Sequence, residues 1–241
     1  MFPQKFCAHR GLSALMPENT LPAFAAAQAL GADEIEFDVR LTKDGRLVVC
    51  HDPQLDRISD GVGLVSDYTL EELRRFNVGI KHGWQVGFCT PEEVFARFAD
   101  RMTLNIHLKQ HGEDGCIIHE LMRLIDKYHA HDRVYFAGSP SELEWMQRIA
   151  PTVRRVAIQL PKDTMDIAQM AKQYHCSGVQ FWVGMFDKPL IEQLHRDGLW
   201  CNLYYADCAD DYHRYFEMGI DTLLTNRMDL AAKYKEQQTR S

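Results

Sequence analysis

The chain has 241 residues, with 27 Lys and Arg against 34 Asp and Glu and a formal net charge of −7, a balance that argues against a general nucleic-acid binder while leaving room for a local basic pocket. At 46 % hydrophobic and 25 % charged, the composition is that of an ordinary globular protein able to bury a large core. No apolar run is long enough to span a bilayer, and residues 1–5 lead almost directly into the first apolar run; with no room there for a signal peptide, a cytoplasmic protein is expected.

In chain order, Phe6 to Gly11 reads as a strand, and Asn19 or Thr20 caps a helix that runs to Leu30 and ends at Gly31. Strand 34–40 follows, then the turn signal Asp44-Gly45 and a return strand ending at His51. Residues 53–90 are turn-rich and hold one short helical stretch from Thr69 to Phe76, with Glu72 at capping-box spacing; they read as a small insertion over one mouth of the fold. Thr90 and Pro91 open a helix to Asp100. Beyond it, strands 103–109, 133–138, 153–159, 178–183, 199–205 and 220–225 alternate with helices 114–130, 141–149, 164–175, 188–197, 208–218 and 227–236.

Leaving out the hairpin strand, eight strands alternate with eight helices, the pattern of parallel βαβ units. The expected architecture is α/β: a single (β/α)8 TIM barrel over residues 1–241, with a doubly wound open sheet as the structural alternative. Neither G-x-G-x-x-G nor G-x-x-x-x-G-K occurs, so no glycine-rich phosphate loop is expected. Seven scattered cysteines without a Cys-x-x-Cys pair read as reduced thiols.

Six polar residues break the apolar runs: His9, Arg10, Glu36, Asp38, His51 and Lys109. A strand gains no stability from an unpaired buried charge. Glu36 and Asp38, at i and i+2, share one face of their strand and suit a divalent cation. Two histidines with Arg and Lys nearby suit acid–base chemistry on a phosphate ester. Barrel chemistry sits at the C-terminal ends of strands, which is where these residues fall.

An ordered series of short motifs resembles the glycerophosphodiester phosphodiesterase family: His9-Arg10-Gly11, Pro17-Glu18-Asn19-Thr20, Glu36-x-Asp38-Val39, Thr42-Lys43-Asp44-Gly45 and His51-Asp52. Leu55-x-Arg57, Gly61-x-Gly63, Thr90 to Val94 and Gly219-Ile220-Asp221 add weaker support. The resemblance implies a barrel with a small insertion after the second strand, and metal-dependent hydrolysis of glycerophosphodiesters to glycerol 3-phosphate and an alcohol. By the same resemblance His9 and His51 would be general acid and base, Glu36 and Asp38 would hold the metal, and Arg10 and Lys109 would grip the phosphate. The implied partner is a small phosphodiester, without nucleic acid or stable membrane insertion; a homo-oligomer stays open.

Three places depart from the family pattern. His107 stands where a third metal carboxylate is expected. Read as a ligand, it makes a Glu/Asp/His set with one negative charge fewer. Of magnesium, calcium, manganese and zinc, such a set favours the softer manganese or zinc. Read otherwise, it only hydrogen-bonds at the rim. Asp207 takes the place of a family asparagine, and Asn226 stands where the family more often has aspartate. Phe181, Trp182, Phe186 and Tyr204 form either an aromatic wall for a head group, with Trp182 and Tyr204 as substrate contacts, or core packing. Glu18 caps the first helix or faces the site, while Lys162, Arg154 and Arg155 read as rim charge or as solvated surface. Two further readings remain at this stage: a lyase-like enzyme of the sphingomyelinase D type releasing a cyclic phosphate, and a non-catalytic phosphodiester-binding protein.

Overall fold

Parallel strands joined by helices are covered on both sides, so each strand must offer an apolar outer face to its helix and a second face to the barrel interior. β2 (Glu34–Leu41) shows the division. Ile35, Phe37 and Val39 are fully buried in the core beneath the helices, each worth about 1.5–3 kcal/mol of transfer free energy. Glu34, Glu36 and Asp38, buried on the alternate positions, turn inward.

The computed structural model describes residues 2–160 and 165–240. Before β2 lie β1 (Lys5–His9) and α1 (Leu21–Ala29); after it come β3 (Leu47–Val49), α2 (Leu70–Leu73), α3 (Pro91–Phe98), β4 (Thr103–Leu108) and α4 (Cys116–Lys127). The regular half continues with β5 (Val134–Gly138), α5 (Pro140–Ile149), β6 (Arg154–Ile158), α6 (Ile167–Gln173), β7 (Gly178–Trp182) and α7 (Lys188–Arg196). It ends with β8 (Trp200–Tyr204), α8 (Ala209–Met218), β9 (Thr222–Thr225) and α9 (Met228–Arg240). β1 pairs in parallel with both β2 and β9. That closes eight parallel strands into a (β/α)8 barrel and excludes the open sheet. β3 lies outside the ring, antiparallel on β2.

Between β3 and α3, the expected helix from Thr69 to Phe76 is only Leu70–Leu73, closed by the Thr69–Glu72 capping box. Val65, Leu70, Leu73 and Phe88 pack on Val48 and Leu55 as a small apolar cluster separate from the main core. The seven cysteines are all unbridged thiols, five of them buried. Among the described residues no helix is long and apolar enough to cross a membrane.

One expectation needs correction. Arg155, at the start of β6 and thus at the end of the barrel away from the mouth, is neither rim charge nor solvated surface: it is 5 % exposed. Its guanidinium donates to the carbonyls of Ala150, Val153, Tyr174 and His175 at 3.1–3.3 Å. Those carbonyls follow α5 and α6, where chain ends lack internal donors, and a five-donor fork satisfies them. Of the two readings of the aromatic residues, core packing holds for Phe181 and Phe186: Phe181 is fully buried and packs on Phe186 at 5.0 Å against the main core. Lys162 and the expected helix start at residue 164 lie outside the described residues.

Candidate active site

The inward positions of three neighbouring strands deliver the polar set. β1 contributes His9, β2 contributes Glu36 and Asp38, and β4 contributes His107, with Lys109 just past its end. The registers place His9 beside Glu36 and Asp38 beside His107. His51 arrives by another route. β2 overshoots the barrel to Leu41, turns at residues 42–45 with Gly45 at φ 69°, and returns as β3. Cys50 N–H then donates to the Asp38 carbonyl at 2.9 Å, which sets His51 at the rim next to the carboxylate pair.

Between β1 and α1 the chain passes tightly over the end of the barrel. A Cβ on Gly11 would lie 2.7 Å from the backbone of Ala23, so only glycine fits. Arg10 holds φ 55°, which costs about 1–2 kcal/mol in a non-glycine residue. Its N–H is anchored by the Glu36 carbonyl and by Glu36 Oε2, both at 3.0 Å. Thr20, not Asn19, caps α1. Asn19 instead donates Nδ2–H to Asp38 Oδ2 at 2.9 Å. Read as a possible cap, Asn19 was missed as a site residue; its place inside the Pro17–Thr20 motif was the available signal.

Asp38, fully buried, is the hub. Arg10 Nε lies 3.3 Å from its Oδ2, and Lys109 Nζ and His107 Nδ1 lie 3.1 and 3.4 Å from its Oδ1. The Arg10 and Lys109 contacts are ion pairs whose angles miss hydrogen-bond geometry, since Arg10 Nε and Asp38 Oδ1 have no hydrogen-bond partner. Burial opposes ionisation of Asp38, but Lys109 and Arg10 overcome it and hold the carboxyl below its usual range. Glu36 goes the other way: burial, then the Asp38 charge, pushes it up to about 8. One site thus holds one firmly ionised carboxylate and one that keeps its proton near neutrality.

The imidazoles are biased toward neutrality. Burial, then Arg10, pushes His9 down to about 3; burial and Lys109 lower His107 well below its ordinary value, and burial lowers His51. His9 Nδ1 meets Asn226 Oδ1 at 2.7 Å, and Nε2 lies 3.9 Å from Glu36 Oε2. His51 Nδ1 meets Asp52 Oδ1 at 2.6 Å. Asp52 is bound by Arg57, Arg57 binds Glu18 at 2.7 and 2.8 Å, and Glu18 binds Arg10 at 2.8 Å. This chain of alternating charge ties residues 53–90 to the rim, and it places Glu18 on Arg10.

Glu36, Asp38 and His107 each offer a ligand atom within 4.8 Å of the others. The orphaned Asp38 Oδ1 and the mixed carboxylate–imidazole donor set fit a divalent cation, with the Lys109 ammonium lying against the same atoms. A second cluster, His195, Cys201 and Asp221, lies at the opposite end of the barrel. Asp221 Oδ2 already accepts from His195 Nε2 at 2.8 Å and from Cys201 N–H at 2.7 Å.

His9, Arg10, Glu36, His51, His107 and Lys109 line one side of a cleft of about 270 Å³. Facing them are Ile158, Leu160, Trp182 and Tyr204, with Ser139, Glu142 and Gln180 as polar members that sequence reasoning did not single out. Tyr204 meets the rings of His9 and Trp182 edge-on, both at 4.8 Å. All nine expected site residues therefore converge on one end of the barrel.

Comparison with known proteins gives the family. Residues 9–230 match the model of the glycerophosphoryl diester phosphodiesterase family. Proteins named glycerophosphodiester phosphodiesterase from Caldanaerobacter subterraneus and Bacillus altitudinis are each 31 % identical. The alignments cover 91 % of this chain and 92 % of the first relative, and 97 % of this chain and 98 % of the second. The crystal structure of glycerophosphodiester phosphodiesterase from Agrobacterium tumefaciens superposes with a TM-score of 0.80 at 27 % identity, over 95 % of this chain and 99 % of that one. An Oleispira antarctica phosphodiesterase, solved in complex with its product sn-glycerol-3-phosphate, shares the fold at a TM-score of 0.86 and 23 % identity, over 99 % of this chain and 97 % of that one. Barrel closure, the rim constellation and a match over almost the whole length lead to one conclusion: this chain belongs to the glycerophosphoryl diester phosphodiesterase family of phosphoric diester hydrolases.

Proposed function

We propose that the protein hydrolyses glycerophosphodiesters to glycerol 3-phosphate and an alcohol, with His9 and His51 as the proton-transfer pair and with Glu36, Asp38 and His107 holding a divalent cation. The observation that carries this reading is the meeting, in one cleft, of the His9, His51 and His107 rings with Glu36, Arg10 and Lys109, the last two held from behind by the buried Asp38. Arg10 and Lys109 would exchange part of their hold on Asp38 for the phosphate oxygens, the guanidinium as a fork and the ammonium as a point charge. The cation, when bound, would neutralise phosphate charge and polarise the phosphorus centre.

His9 is the ring assigned to accept the proton, because burial and Arg10 hold it neutral. It is the deeper ring, backed by a neutral amide, and it faces Glu36 with Nε2. His51 is more exposed and backed by the Asp52 carboxylate, which favours its charged form, as does a bound phosphate anion. The attacking hydroxyl, that of a water molecule, bonds to phosphorus and gives its proton to His9, the phosphorus–oxygen bond to the alcohol breaks, and the departing alkoxide takes a proton from His51, leaving glycerol 3-phosphate and the free alcohol. Trp182 and Tyr204 would contact the alcohol portion of the substrate, and residues 53–90 would brace the mouth through Arg57.

The test is turnover of glycerophosphocholine, glycerophosphoethanolamine, glycerophosphoinositol and a sugar phosphodiester with each of magnesium, calcium, manganese and zinc, followed by phosphorus NMR. The expected product is glycerol 3-phosphate, with manganese or zinc supporting at least the rate given by calcium. A strict calcium requirement would refute ligation by a Glu/Asp/His set. A cyclic phosphate that accumulates and persists would replace the hydrolase with the lyase-like reaction, and binding without turnover under every metal would leave a binding protein.

A further inference from the structure

Behind His9 stands an acceptor that is itself held from behind. Asn226 Oδ1 takes the 2.7 Å contact to His9 Nδ1, while Asn226 Nδ2–H donates to Asp207 Oδ2 at 2.8 Å and Asn226 N–H donates to Asp207 Oδ1 at 2.7 Å. Thr225 Oγ1 also donates to Asp207 Oδ1, at 3.0 Å, with the Tyr212 hydroxyl 3.0 Å from that Oγ1 in turn. Ser13 Oγ lies 3.0 Å from Asn226 Oδ1 and 2.8 Å from the His9 carbonyl.

We propose that Asp207 is a positioning residue for His9, acting through Asn226 to fix the imidazole as the tautomer with its proton on Nδ1. An ionised carboxylate can only accept hydrogen bonds. The Asn226 amide must therefore turn its NH₂ toward Asp207 and its oxygen toward His9. That oxygen carries no hydrogen, so His9 Nδ1 must be the donor. A neutral imidazole has one N–H, which leaves the Nε2 lone pair bare, 3.9 Å from Glu36 Oε2 in the cleft. The opposite tautomer would present an N–H to the attacking hydroxyl and could not take its proton. Placing the carboxylate one residue behind an amide fixes orientation without setting a second negative charge against the ring.

The inference rests on the reading of His9 as a proton acceptor, but the two fail separately. Ring-nitrogen NMR of the full chain, labelled at histidine and loaded with diamagnetic zinc or magnesium, reads the tautomer without turnover. Turnover surviving His9→Ala would remove the functional reading and leave the tautomer assignment intact. In the parent protein, His9 is expected to show a proton-bearing Nδ1 and a bare Nε2.

Asp207→Asn lets the Asn226 amide face either way. It is expected to mix the two tautomers and to lower kcat roughly 10–100-fold with KM within about twofold, a partial form of a wrong-tautomer loss. The double exchange Asp207→Asn with Asn226→Asp lets the new amide donate to a carboxylate that again accepts from Nδ1. It should restore one tautomer and bring kcat to within about threefold of the parent. The proposal is overturned if the parent carries its proton on Nε2, if Asp207→Asn keeps one Nδ1–H tautomer at parental kcat, or if the double exchange recovers nothing.

Discussion

Replacing either His9 or His51 by alanine is expected to lower kcat by roughly 10²–10⁴-fold, the usual worth of a positioned proton-transfer group, with KM changed by no more than about threefold. The two losses should differ in kind. His51 is proposed to protonate the departing alkoxide, so a substrate with an aryl leaving group that departs unprotonated should recover most of the His51→Ala deficit. His9 acts on the attacking side, and no leaving group should rescue His9→Ala. Steady-state kinetics on an alkyl and an aryl phosphodiester with both variants checks this. Equal rescue of both, or rescue of His9→Ala alone, would reverse or dissolve the assignment. The structural basis is the unequal backing of the two rings, a neutral amide at His9 Nδ1 and a carboxylate at His51 Nδ1.

The second large effect is at Asp38. Asp38→Asn removes the one carboxylate that Arg10, Lys109 and His107 all face. Losing a buried partner from such a set costs about 3–5 kcal/mol of stability. Losing the metal as well should cost turnover about 10³-fold, equivalent to about 4 kcal/mol of barrier. Calorimetric metal binding, a melting curve and kcat measured together separate the two losses. Metal affinity and turnover unchanged in Asp38→Asn would end the proposed ligand set.

Glu36 gives the contrast. Its folded value of about 8 lies above the ordinary 4.5, so the folded chain binds the extra proton between those two values. That contribution to metal-free stability is complete below the ordinary value and is lost as pH rises through the folded one. Metal must displace the proton, so affinity should gain up to about tenfold per pH unit below that folded value and level off above it. Glu36→Gln should flatten its part of the metal-free stability slope and weaken metal binding.

The barrel and most of the rim were legible because charge in an apolar strand is informative. His9, Glu36, Asp38 and Lys109 stand at inward positions where stability alone would place aliphatic side chains, and period-two alternation states which residues share a face. What was hidden depends on contacts between segments remote in sequence. Asn19 sits where a helix cap is expected, and only the approach of the first loop to β2 turns it onto Asp38. Arg57 becomes part of the rim because residues 53–90 fold back to Glu18. Asp207 and Asn226 stood out as departures from the family pattern, yet their pairing requires the ends of β8 and β9 side by side. Arg155 was misplaced because a charged residue at a strand start resembles surface until the carbonyl ends of two helices are seen to close over it.

The most direct measurement is anomalous diffraction from a crystal grown with manganese and glycerol 3-phosphate. One anomalous peak is expected at the mouth of the barrel, about 2.0–2.4 Å from oxygens of Glu36 and Asp38 and from a ring nitrogen of His107, with the phosphate between His9 and His51. A peak elsewhere, or an empty site with the Lys109 ammonium still against Asp38, would contradict the proposed ligand set.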